Sequence, residues 1–105
     1  MSKSLGNVAN LLDLLEHYDP RAYRLVLLQS HYRSPVRVGQ DNIDAAVTTL
    51  VGLDAFAART ASVAVASPDA DVMNRFRDFM DDDLDTPSAT ALLFDTVRQI
   101  GRAHV

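Results

Sequence analysis

At 105 residues the chain is long enough for one domain, and its 48% hydrophobic residues allow a modest core. It contains no cysteine, which excludes disulfides and thiolate metal sites within it and permits a cytoplasmic origin. No apolar run approaches the roughly 20 residues that span a bilayer, and no basic segment followed by an apolar stretch opens the chain. Of the formal charge of −4, residues 1–40 carry +2 and residues 41–105 carry −6. A nucleic-acid contact is therefore sought in the first 40 residues, although an imbalance of this size is also ordinary surface variation.

In chain order, Met1-Ser2-Lys3-Ser4-Leu5-Gly6-Asn7 comes first. Two hydroxyl side chains flank one lysine, and Gly6 allows a turn, an arrangement suited to following a phosphate as charge builds on it. On residue types alone such an N-terminus is more often a mobile tail. Asn10 then caps a short helix with Leu11, Leu12, Leu14 and Leu15 on its apolar face, ending near Tyr18. Asp19-Pro20 gives a capping acceptor followed by proline at the first helical position, so a second helix is expected from Pro20 to about Ser30. Its centre, Leu25-Val26-Leu27-Leu28, is apolar all round and is expected to be the most buried stretch.

Residues 31–40 contain Pro35 and Gly39 without sustained periodicity and read as a connection, extended between Pro35 and Val38. Asp41 is expected to cap a third helix reaching about Ser62, with Ile43, Ala46, Val47, Leu50, Leu53 and Ala57 on one face. Gly52 weakens its middle by up to about 1 kcal/mol relative to alanine. A loop at Val65 to Pro68 precedes a fourth helix with Val72, Met73, Phe76, Phe79 and Met80 inward. Thr86-Pro87 opens a fifth, with Leu92, Leu93, Val97 and Ile100 inward. The fold class is all-α: about five helices, the short early ones followed by a bundle of the long third, fourth and fifth.

Three groups of residues are candidates for chemistry. Lys3, between Ser2 and Ser4, is the leading one. His31, Tyr32 and Arg33 combine a titratable ring, an aromatic with a polar tip and a fork of donors suited to phosphate or carboxylate. On residue types they suit a phosphate contact, or the closure of a junction between two helices with Arg33 paired to a carboxylate. Asp81-Asp82-Asp83 with Asp85 lacks the alternating spacing and glycine of a calcium loop, so it reads as a helix-ending loop in which Asp85 or Thr86 caps the next helix. His17 and His104 stand alone near helix ends and are poor ligand candidates.

Met1-Ser2-Lys3-Ser4 resembles the KMSKS signature of class I aminoacyl-tRNA synthetases, with the first lysine of the motif absent. Tyr18-Asp19-Pro20-Arg21-Ala22-Tyr23-Arg24, Ser30-His31-Tyr32-Arg33-Ser34-Pro35 and Met80-Asp81-Asp82-Asp83-Leu84-Asp85-Thr86-Pro87 then look like the run that comes after this loop in cysteinyl-tRNA synthetases. Four blocks in order are far more specific than one, and the resemblance covers nearly the whole chain, being weakest between about Ala55 and Asp71. It implies that Met1 is an internal methionine of a longer protein. It also implies that residues 1–40 are the signature loop and stem-contact region, and residues 41–105 part of a helical, anticodon-binding type of domain.

By motif position Lys3 is then the catalytic lysine that meets the leaving pyrophosphate of ATP, and Ser2, Lys3 and Ser4 hold the ATP phosphates. The same resemblance places His31, Tyr32 and Arg33 where an RNA backbone passes. The implied parent activates cysteine with ATP to cysteinyl adenylate and transfers it to tRNA(Cys) in the cytoplasm. Its zinc site and HIGH motif are expected elsewhere, so no metal site and no activity are expected of this piece alone. A mycothiol ligase, joining cysteine to an amino sugar, shares the signature loop and the Asp-Leu-Asp-Thr-Pro block. A non-enzymatic helical interaction domain is the alternative from another class. Oligomeric state is not legible.

Overall fold

The structure, a computed structural model, describes residues 11–63 and 67–103. Among these residues it contains helices and no strand: α1 (Leu11–His17), α2 (Pro20–Leu28), α3 (Gln40–Thr60), α4 (Ala70–Asp81) and α5 (Thr86–Ala103). The all-α fold class is thus observed. The expected Asn10 cap and the start of the loop at Val65 lie outside the described residues.

Local chemistry explains most of the boundaries. Asp19 caps α2, its carboxylate accepting from the Arg21 N–H at 2.9 Å, and Pro20 comes next where no N–H is needed. Asp69 accepts from the Val72 N–H at 3.0 Å and so caps α4. Asp85 caps α5, accepting from both the N–H and the hydroxyl of Ser88 at 3.1 and 2.7 Å. The start of α3 departs from expectation. Gly39 is its N-cap and Asp41 lies inside the first turn, where its carboxylate is paired with Arg37 at 2.6 Å instead of closing the helix end.

One small core joins α2 to α3: Ala22, Leu25 and Val26 meet Ile43 and Ala46, with Ile43 fully enclosed. Leu14, Tyr18, Leu50 and Phe94 pack around it, so α1 and α5 both reach the same cluster. This core straddles the expected division near residue 40. Two expectations are corrected. Leu27 and Leu28 are 38% and 42% exposed, because α2 is covered by α3 along one side only. The bundle of third, fourth and fifth helices is replaced by two pairs, α2 against α3 and α4 against α5, with α2 bridging them.

The α4 face that was expected inward is consequently only partly covered: Val72, Phe79 and Met80 are half-buried, whereas Met73 and Phe76 are exposed. No residue of α4 is buried, and Met73 and Phe76 line a hollow of about 430 Å³ with Leu28, Met80 and Leu93. The described residues form an elongated body of 53 × 31 × 19 Å.

Candidate nucleic-acid interface

The candidate site lies where the connection after α2 meets the loop between α4 and α5. The α4 helix ends with Asp83 and Leu84 both in the left-handed region, at φ 54° and 55°. Residues other than glycine resist this conformation. The turn is closed by the Leu84 N–H on the Met80 carbonyl at 3.1 Å and the Asp85 N–H on the Phe79 carbonyl at 3.0 Å. Its effect is to turn Asp83 toward the other segment.

Three consecutive residues meet Asp83 there. The Tyr32 hydroxyl donates to Asp83 Oδ1 at 2.6 Å, the Arg33 guanidinium pairs with Oδ2, and His31 Nε2 donates to the Asp83 backbone carbonyl at 3.0 Å. His31 Nδ1 accepts from the Arg33 N–H at 3.2 Å. The His31 ring stacks on Tyr32 with centroids 4.7 Å apart, and the Arg33 guanidinium lies 5.9 Å from the Tyr32 ring centre. Thr86 ties the base of the segment by donating to the Ser30 carbonyl at 3.4 Å.

The electrostatics stem from these contacts. The Tyr32 hydrogen bond, reinforced by the Arg33 charge, holds the Asp83 carboxyl below its usual range, and the same bond raises the Tyr32 phenol. Arg33 still has a side chain 68% exposed, and only one terminal nitrogen is taken up by Asp83. An exposed aromatic beside free guanidinium donors is chemistry that meets a phosphate–sugar backbone.

The arrangement is the one expected of a junction closed onto a carboxylate. Arg33 closes a junction onto a carboxylate, and its remaining donors face outward. Asp83 is the residue that sequence reasoning missed, since the Asp81-Asp82-Asp83 run gives no sign that its last member reaches back 50 positions. No group of His, Cys, Asp or Glu that could hold a metal ion is present among the described residues. Ser2, Lys3 and Ser4 lie outside the described residues, so the candidate catalytic group has no geometry here.

Comparison with known proteins bears on the same two segments. Residues 1–48 match the profile of the tRNA synthetases class I (C) catalytic domain, and residues 75–105 match the DALR domain. The first 48 residues are thus similar to the catalytic domain of class I aminoacyl-tRNA synthetases.

Among similar curated proteins, the cysteine–tRNA ligase of Erwinia tasmaniensis is 40% identical over 102 residues, and that of Shewanella sp. strain MR-4 is 42% identical over 103. In each case 97% of this chain and 22% of the relative are covered. The chain is similar to cysteine–tRNA ligases over nearly its whole length, and it spans about a fifth of the length of the curated relatives it matches, 22%. No solved structure matches it.

Proposed function

We propose that the chain works as part of a cysteine–tRNA ligase, in which ATP and cysteine form cysteinyl adenylate and the cysteinyl group passes to tRNA(Cys). The observation that carries this reading is the 40% identity to such ligases across 97% of the chain, spanning both the signature loop and the helical segment. Lys3 acts as the catalytic cation toward the leaving pyrophosphate, with Ser2 and Ser4 beside it on the ATP phosphates. His31, Tyr32 and Arg33 contact the RNA backbone. A cytoplasmic site of action fits this role.

The division into a loop and stem-contact region, 1–40, and a helical tRNA-binding region, 41–105, is one of task within a shared core. The test is a graft: residues 1–105 replace the matching segment of the Erwinia tasmaniensis ligase. Cysteine-dependent ATP–pyrophosphate exchange and charging of tRNA(Cys) are then measured. Both activities are expected; a folded graft without either contradicts the reading, and exchange followed by transfer to an amino sugar instead of tRNA would favour the mycothiol branch.

A further inference from the structure

The α4–α5 turn spends two left-handed residues to place one carboxylate. A reversal of direction alone is met more easily by glycine. Here Asp83 and Leu84 take the disfavoured conformation, and the Asp83 side chain and carbonyl are occupied by Tyr32, Arg33 and His31. Strain of this kind persists only where surrounding contacts fix it. Asp81, Asp82 and Asp83 are all exposed, and it is Asp83 that takes these three partners.

We infer that Asp83 is a positioning residue for the RNA contact: it orients Tyr32 and Arg33 before RNA arrives, and it does not itself touch the RNA. The inference rests on the reading of these two residues as a backbone contact. A long arginine side chain loses rotamer freedom on binding, and a guanidinium already held through one nitrogen has less to lose. The tyrosine ring is fixed from both sides, by its hydroxyl on Asp83 and by stacking on His31. Tethering leaves the outward donors of Arg33 available, as its 68% side-chain exposure shows.

A purely electrostatic role predicts the opposite sign. Asp83 cancels the Arg33 charge locally, so removing the carboxylate would strengthen attraction to phosphate if charge alone mattered. Asp83→Asn therefore separates the two.

The experiment titrates the 105-residue chain into fluorescently labelled tRNA(Cys) at low salt, for the unmodified chain, Arg33→Ala, Asp83→Asn and the double variant. Asp83→Asn is expected to weaken binding about five- to tenfold, close to Arg33→Ala, and the double variant is expected to fall within about twofold of Arg33→Ala. Tighter or unchanged binding by Asp83→Asn overturns the inference, as does full additivity. If the unmodified chain fails to bind, the RNA reading itself falls and the inference with it. If it binds and responds to Arg33→Ala alone, only the positioning role falls.

Two further measurements guard against misfolding. Tyr32→Phe removes the hydroxyl while keeping the ring and the Asp83 carboxylate, and it is expected to weaken binding in the same direction; unchanged affinity overturns the inference. Nitrogen-15 relaxation of Arg33 Nε in the free chain is expected to show an ordered guanidinium that becomes mobile in Asp83→Asn. Equal mobility in both overturns it without any RNA present.

Discussion

Arg21 holds Asp54 across 33 residues of sequence, its two terminal nitrogens donating to the two carboxylate oxygens at 3.0 and 2.9 Å. Its Nε and one terminal nitrogen also grip Asp19, the cap of its own helix, at 3.0 and 2.7 Å. One guanidinium thus links the first turn of α2 to the middle of α3. The planar fork of arginine matches two carboxylates in a way a lysine ammonium cannot. All three side chains are about half exposed, so the bracket fixes geometry more than it stabilises.

The hydrogen bonds from Arg21 hold both the Asp19 and Asp54 carboxyls below their usual values. A depressed folded-state pKa contributes stability that is complete above the unfolded value and lost as pH falls through the folded one. Stability is therefore expected to decline below the ordinary carboxylate range, near 3.8. Urea unfolding at stepped pH checks this, and Arg21→Ala is expected to make the acid limb shallower. Asp83 acts in the same direction. Tyr32, raised from 10.0, adds a limb of opposite sign, its share being lost as pH rises through the elevated phenol value. Tyr18 is raised as well, by burial and the nearby Asp44 carboxylate, so Tyr32→Phe is expected to make the alkaline limb shallower without abolishing it.

Ile43 and Leu28 are expected to respond differently to truncation. Ile43 is fully enclosed between α2 and α3, so Ile43→Ala is expected to destabilise by roughly 2 to 5 kcal/mol. Leu28 is 42% exposed beside an open hollow, so Leu28→Ala is expected to lose only about 1 kcal/mol. Denaturant unfolding of both variants checks the ranking; equal losses would show that the α4–α5 pair covers Leu28.

Gly52 sits within α3, and a Cβ built there meets nothing within 4 Å. Gly52→Ala is expected to stabilise by about 0.5 to 1 kcal/mol, since helical backbone suits alanine and the unfolded chain loses freedom. A rise in melting temperature checks it.

The caps and periodicities that rest on neighbouring residues were legible in the sequence. Asp19-Pro20 and the Ile43–Ala46 face are where the pattern put them, because both arise from contacts a few residues apart. The pairing of helices was not. The apolar faces of α3 and α4 suggested a common bundle, yet periodicity records which face is apolar and not which partner covers it. Leu27 and Leu28 read as core for the same reason, although α3 covers only the other side of α2.

At the site, His31, Tyr32 and Arg33 were visible as a chemical cluster, and their family setting came from the ordered motifs. Asp83 was hidden because its role depends on two left-handed residues and on partners about 50 positions away. Lys3 was recognised by motif alone and stays a proposal.

The most direct test of the account is the rate of the two half-reactions in the grafted ligase carrying Lys3→Ala. The ammonium is proposed to act on negative charge that develops as pyrophosphate leaves. Adenylate formation is therefore expected to slow by about 10² to 10³, the effect of losing one preorganised electrostatic donor. Cysteine affinity and transfer from preformed adenylate to tRNA(Cys) are expected to stay nearly unchanged, since neither involves the departing group. Rapid-quench measurement of each step separates the cases. Selective slowing of adenylate formation is the predicted result, and equal slowing of both steps, or of neither, contradicts it.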